Sequence, residues 1–319
     1  MTSNIYPAKP NVALLAPGVT VRNDGLINID TAWEPAGVTD QFLAEADTYH
    51  ERYFNNAYWT WLVDRALQGI DRRATHILDI GSGSGNTIVP LAEAFPTASI
   101  FASDISPQLL TILMSSAASR PDIALRLSAY CFDLHKNFFT SECFDGVLGG
   151  AVLHHMLDPI AALRNVATWV KPGGWITLVE PLERGALMMA IIYHTLLEEL
   201  EDEAEPRLVD LLRALIQDVE ARLGAPRLKA NTPYLDDKWF FSPTFVRQMM
   251  KELGFSRWSL EPVGDGRFTD NVLGTLSVGG WNGTPPQKML DVLAEFDNQL
   301  PAGSVRRRLQ SDGIIRLWK

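Results

Sequence analysis

The sequence predicts an α/β fold built on a mostly parallel sheet, and three observations carry that reading. From His76 onward short apolar runs alternate with helical stretches, the pattern of repeated strand and helix units. A glycine-rich turn, Leu78 to Gly85, joins the first of those strands to the first helix. An aspartate, Asp104, ends the next strand.

Taken in order, the first 40 residues are rich in Pro, Gly and Asn and read as an irregular arm. Gln41 to Leu67 then places Phe42, Tyr49, Tyr53, Phe54, Tyr58, Trp59 and Trp61 on an aromatic helical face. Such a stripe is either core or, ahead of a nucleotide-binding domain, a lid. His76 to Ile80 reads as a strand, Asn86 to Ala94 as a helix and Ser99 to Ser103 as a strand. Pro107 to Ala118 is the next helix, followed by strands at Leu125 to Phe132 and Gly146 to Gly150. Ile160 to Val170 is a helix stopped by Pro172, Gly173 and Gly174, and Trp175 to Val179 is a fifth strand.

Leu182 to Trp239 exceeds what a minimal α/β domain needs and reads as two helices. Leu187 to Leu200 is apolar almost all round and requires a cover. Leu208, Leu211, Leu212, Leu215, Val219 and Leu223 recur at helical spacing, with Gly224 and Pro226 as a stop. Ser242 is an N-cap for a helix from Pro243 to Leu253, closed by Gly254. Trp258 to Pro262 and Val272 to Val278 read as an antiparallel hairpin around the turn-rich 264–270. The last 36 residues read as one more helix and a tail. The organisation expected is an arm and lid over 1–70, a core over 71–182, a capping insertion over 183–239, completion of the core over 240–282, and an extension over 283–319.

Composition narrows the function. A net charge of −10 and a pI near 5.1 offer no basic surplus for gripping phosphates, so nucleic acid is a poor partner. The Arg306 to Arg308 run reads as a solvated face. Cys131 and Cys143 form neither a disulfide framework nor a zinc set. No leader pattern and no long apolar stretch occurs, so no membrane and a cytoplasmic setting are expected.

The chemistry concentrates at Asp79, Ile80, Gly81, Ser82, Gly83, Ser84 and Gly85. Alternating glycines let the backbone turn sharply and approach a ligand, since no Cβ intervenes. A carboxylate at the tip of the following strand, Asp104, can accept hydrogen bonds from both ribose hydroxyls of an adenosine cofactor. A nicotinamide dinucleotide would favour G-x-G-x-x-G, but Asn86 stands where that third glycine would fall.

These residues, with Asp133 after the third strand, the fourth-strand segment Phe144 to His155 and the Val170 to Gly174 turn, resemble the class I S-adenosylmethionine (SAM)-dependent methyltransferases of small-molecule type. The resemblance covers roughly His76 to Pro181 and Phe241 to Gly279. It implies a Rossmann-like, seven-stranded, mostly parallel sheet with one antiparallel strand, a helical N-terminal lid and a helical insertion. It also implies SAM as cofactor and S-adenosylhomocysteine as product.

By the same resemblance Asp79, Gly81, Ser82, Gly83 and Gly85 would hold the methionine part, Asp104 and Ile105 the ribose, and Asp133 and Leu134 the adenine. Gly150 replaces a residue that is often polar in the family, but it keeps the carbonyl that binds. Tyr49 and Tyr53, one helical turn apart, would close over the cofactor.

Methyl transfer needs alignment of acceptor and methyl, and a hydroxyl acceptor must also lose a proton. His154 is expected as the general base, with His155 as its alternative, and Glu180, Tyr193 and His194 as acceptor contacts. Nothing in the sequence requires a metal. Metal-dependent relatives chelate a catechol with clustered carboxylates, to which Asp158 beside the His pair could contribute, whereas the acidic run from Glu198 to Glu205 reads as a solvated junction.

The activity expected is methylation of a small or medium-sized, partly apolar molecule, on oxygen first, with C- or N-methylation as variants. A SAM-binding regulatory subunit is the rival from another class. Methylation of a polymer is disfavoured by charge and by the insertion. A homo-oligomer stays open.

Overall fold

The computed structural model describes residues 12–34, 39–200, 203–224 and 235–319. Pro226, and Glu201 and Asp202 of the acidic run, lie outside that range.

The arm is not wholly irregular. Val21–Asn23 (β1) and Asn28–Asp30 (β2) pair antiparallel, and β2 joins the sheet edge. The aromatic stretch is two helices rather than one, Ala46–Tyr53 (α1) and Asn56–Ala66 (α2). Asn55 divides them as the N-cap of α2, its side chain accepting the Tyr58 N–H.

The core then alternates as expected: His76–Ile80 (β3), Ile88–Ala94 (α3), Ser99–Asp104 (β4), Pro107–Ala117 (α4), Pro121–Ala124 (α5), Leu127–Cys131 (β5), Phe144–Gly150 (β6), Pro159–Trp169 (α6) and Val170–Pro181 (β7). Local chemistry sets the starts. Ser106 and Asp158 cap α4 and α6, and each is followed by a proline whose fixed φ suits a first turn.

The insertion is Glu183–Leu200 (α7) and Pro206–Gly224 (α8). Pro243–Leu253 (α9) follows, capped by Ser242 and closed by Gly254 in the left-handed region, as the sequence indicates. Arg257–Pro262 (β8) comes next.

Residues 272 to 278 belong to a helix, Phe268–Val278 (α10), not to a strand. Phe268, Val272 and Leu276 are fully buried at four-residue spacing, a helical repeat that β-branched neighbours and Gly274 disguise. The antiparallel strand is instead Asp312–Trp318 (β9), which follows Gln287–Gln299 (α11) and Ser304–Arg308 (α12). The final stretch is therefore part of the sheet rather than a tail.

The sheet has nine strands, not seven, in the order β1-β2-β5-β4-β3-β6-β7-β9-β8. The two extra strands are the β1–β2 hairpin. In the remaining seven, β9 runs against both neighbours and the rest are parallel. One face carries α6 and α9 in a cluster with Trp169 and Phe245, and the other carries α2, α3 and α4 around Leu62, Leu91 and Leu110. A third cluster joins α7, α8, α10 and α11. The insertion thus finds its cover in the C-terminal helices. The chain runs outward from β3 through β4 to β5 and then crosses to β6 on the other side of β3, and ligands of open α/β sheets bind at such a switch point, beyond the strands' carboxyl ends. Among the described residues no helix is long and apolar enough to cross a membrane.

Candidate active site

At that switch point lies a cavity of about 1090 Å³, its open mouth included. The glycine turn forms its floor. Gly81, Gly83 and Gly85 all have positive φ. A Cβ on Gly81 would stand 2.2 Å from Val152 Cγ2, and one on Gly85 would stand 2.4 Å from Leu113 Cδ1. A Cβ on Gly83 would meet nothing within 4 Å, so this backbone is open to a ligand.

Two carboxylates frame the turn. Asp104 accepts the Gly83 N–H at 2.8 Å and the Ser106 N–H at 2.9 Å. Asp79 is fully buried, and its Oδ2 accepts the Thr87 hydroxyl at 2.6 Å while Oδ1 has no partner among the described residues. Burial pushes the Asp79 carboxyl up to about 7 and raises that of Asp104 as well. An unpartnered buried carboxylate oxygen behind a partly buried glycine backbone with free space at Gly83 fits a cationic ligand of extended shape. The ammonium of a methionine moiety meets that description.

The cavity wall brings together Tyr49, Gly81, Ser82, Gly83, Asp104, Ile105, Asp133, Leu134, Gly150 and His155 of the residues singled out in the sequence. Tyr53 stacks on Tyr49 with centroids 4.7 Å apart but does not line the wall, nor do Gly85 and the fully buried Asp79, which lies behind the glycine turn. Phe42 and Trp59 add aromatic faces from the N-terminal segment. His50 Nδ1 and Ser84 Oγ, 2.7 Å apart, fasten α1 to the glycine turn.

His135 also lines the cavity, a residue the sequence reading passed over. Its ring donates from Nδ1 to Asp133 at 2.8 Å and accepts the Asp158 N–H at 3.3 Å. Burial alone would raise the Asp133 carboxyl, but the bonds from His135 outweigh it and hold it low.

The histidine pair separates into two roles. His154 is 6% exposed and does not line the cavity. Its Nδ1 meets Glu180 Oε2 at 2.7 Å, and its Nε2 lies 3.5 Å from Asp237 Oδ1. Burial would depress it, but the carboxylates of Asp237 and Glu180 push it up to about 9. His155 does line the cavity. Its Nδ1 donates to the Asp236 carbonyl at 3.1 Å, since a carbonyl can only accept, and Nε2 has no partner among the described residues. Burial and the neighbouring His154 push His155 down to about 3.

Glu180 is 1% exposed and anchors the turn after β6. It accepts the N–H groups of Val152, Leu153 and His154 as well as His154 Nδ1. It positions rather than contacts. Tyr193 is buried in the helical cluster, and His194 is exposed beside Glu220, so neither reaches the cavity. Their helix, α7, turns its apolar side toward α8 and α11 instead. Asp158 is spent as the α6 N-cap.

Asp237 was invisible in the sequence, because no motif connects it to the His pair. It lies 3.2 Å from Arg222 of α8 and so links the insertion to the turn carrying His154. Lys238, buried beside it, donates its backbone N–H to the His154 carbonyl at 2.7 Å.

Comparison with known proteins bears on the domain and its fold. Residues 78–176 match a family model described as a methyltransferase domain. A methyltransferase of Strobilurus tenacellus is 27% identical over 54% of this chain and 56% of its own length. The ubiquinone biosynthesis O-methyltransferase of Parvibaculum lavamentivorans is 29% identical over 44% of this chain and 54% of its own length. The chain thus spans about half the length of these curated relatives. Among solved structures, phosphoethanolamine N-methyltransferase 2 of Haemonchus contortus, in complex with SAM, superposes with a TM-score of 0.52 at 14% identity, covering 86% of this chain and 57% of that one. With this glycine turn and strand order, the chain contains a methyltransferase domain over residues 78–176 and is similar to the class I SAM-dependent methyltransferases.

Proposed function

We propose that this chain transfers the methyl group of SAM to a small or medium-sized, partly apolar acceptor, on oxygen by preference. One observation carries the reading: the glycine turn, the Asp104 carboxylate and His155 line the same cavity. A cofactor held by the first two therefore shares its space with a side chain that can take a hydrogen bond from an acceptor.

SAM supplies an electrophilic methyl on sulfur. The residues of this chain would do the rest. Asp79, Gly81, Ser82 and Gly83 would hold the methionine part, Asp104 and Ile105 the ribose, and Asp133 with Leu134 the adenine. Phe42, Tyr49, Trp59 and Met156 give the remaining wall its apolar character, which suits an aromatic or aliphatic acceptor and excludes water. His155 rather than His154 faces the acceptor side. His154 stands behind it as a positioning residue. The ubiquinone-pathway relative is an O-methyltransferase, which supports oxygen as the atom modified.

The test is a product search. Incubate the protein with methyl-labelled SAM and a cell extract, then separate small molecules from macromolecules. Label in an organic-extractable fraction, in a form released as an ether or ester methyl, supports the proposal. Label confined to protein or nucleic acid, or none at all with SAM bound, overturns it.

A further inference from the structure

The contacts around Asp237 have unequal lengths, and the inequality points to a ligand. His154 Nδ1 lies 2.7 Å from Glu180, an ordinary charge-assisted hydrogen bond. On the other side of the same ring, Nε2 lies 3.5 Å from Asp237 Oδ1, and His155 Nδ1 lies 3.3 Å from that same oxygen. Both are too long for charge-assisted hydrogen bonds, which cluster at about 2.7–2.9 Å. They match the edges of a coordination tetrahedron, since ligands about 2.0–2.1 Å from a zinc ion stand about 3.4 Å from one another.

We propose that His154, His155 and Asp237 form a binding site for one divalent transition-metal ion. The three ligand atoms lie within 4.8 Å of one another. Two imidazoles and one carboxylate suit Zn²⁺ or a neighbouring first-row ion and disfavour Mg²⁺ and Ca²⁺, which demand oxygen. The supporting contacts are those a metal site requires. Glu180 accepts from the far nitrogen of His154, which fixes the ring and makes Nε2 the ligating atom. Arg222 Nη1 holds the second oxygen of Asp237 at 3.2 Å and leaves Oδ1 for the ion. His155 exchanges its bond to the Asp236 carbonyl for the metal.

Of the three, His155 lines the cavity, as do Asp236 and Lys238 on either side of Asp237, so an ion here would lie at the cavity's edge. The sequence alone gave no reason to expect a metal, because Asp237 lies far along the chain from the histidine pair.

The catalytic consequence rests on the proposed function, whereas metal binding does not. An ion here would take the acceptor hydroxyl as its fourth ligand and lower its pKa. The proton then leaves to bulk water at the cavity's open mouth before the acceptor is sealed against the apolar wall, and the oxygen keeps the electron pair it needs to attack. That role favours oxygen acceptors over amines.

The experiment uses the full chain, with any affinity tag removed, dialysed against chelator and then titrated with Zn²⁺ by calorimetry and with Co²⁺ by visible absorption. SAM affinity is measured on the same samples as a check that the cavity is intact. The expected result is one ion per chain at micromolar or tighter affinity, with the visible bands of low-coordinate cobalt. His155→Ala and Asp237→Asn should each weaken binding by at least about tenfold, and Arg222→Lys by less.

The site is overturned if the wild type binds SAM but no stoichiometric ion, which would leave a buried ion-pair chain as the whole explanation. It is equally overturned if both variants keep wild-type metal affinity. Loss of SAM binding in the wild type would strike at the proposed function instead, and the metal titration would still decide the site.

Discussion

Asp104, at the tip of β4, accepts the backbone N–H of Gly83 at 2.8 Å, so the residue expected to bind the ribose also braces the turn expected to bind the methionine part. The two duties separate by substitution. Asp104→Ala should weaken SAM binding by about 2 kcal/mol or more, the scale of lost charge-assisted hydrogen bonds. Asp104→Asn can keep one carbonyl oxygen for Gly83 and should lose less. Calorimetry on both variants checks this, and equal affinity across wild type and both variants would remove Asp104 from the site.

Asp79 gives the pH dependence. Its carboxyl is raised by burial to about 7, above its unfolded value of 3.8, so the folded chain holds that proton more tightly. The stability linked to this proton is therefore fully present below about pH 4 and is lost as pH rises toward 7, on the order of 4 kcal/mol across that window. Asp79→Asn should raise the midpoint of thermal unfolding at pH 8 and leave it nearly unchanged at pH 4. A cationic ligand reverses the preference for binding: SAM affinity should climb between pH 5.5 and 7 and then level off. Burial raises Asp104 in the same direction, so the asparagine variant should flatten that climb only in part.

The bond between His50 and Ser84 predicts where the structure tightens. Because α1 is fastened to the glycine turn, ordering of that turn by SAM should slow hydrogen exchange of amides over 46–53 and around Tyr49. Exchange that is identical with and without SAM would reduce the aromatic helices to packing alone.

The parts of the molecule that were legible in the sequence are those where local chemistry decides. The glycines at 81, 83 and 85 announce their positive φ, and Ser106, Asp158 and Ser242 announce their helices through capping and the proline that follows. What stayed hidden depends on partners distant in the chain. The β1–β2 hairpin is a poor strand signal on its own and exists because β5 offers it an edge. The span at 272–278 reads as a strand by β-branching, yet α7 and α11 bury one helical side of it. Asp237 carries no motif, and only folding brings it to His154. Tyr193 and His194 erred for a related reason: an apolar helix needs a cover, and the cover proved to be other helices rather than an acceptor.

Glu180 provides the sharpest test of how the site is built. Its two oxygens accept three backbone N–H groups, from Val152, Leu153 and His154, and the His154 ring besides. Each of these four groups is a donor. Glu180→Gln replaces one acceptor oxygen by an amide that itself donates, so at least one buried N–H loses its partner and another donor is pressed against it. The cost should be about 2–4 kcal/mol, since a buried unpaired polar group costs about 1–3 kcal/mol and a charged partner more. The effect should not stop at stability. Val152 packs where a Cβ of Gly81 would stand, so a loosened turn at 152–154 withdraws the wall against which the glycine turn rests. Urea unfolding should show the lower midpoint, and SAM affinity should fall although Glu180 does not itself line the cavity. Unaltered stability would mean that a glutamine oxygen serves all four donors. A stability loss with SAM affinity intact would show that Gly81 holds its conformation without support from Val152.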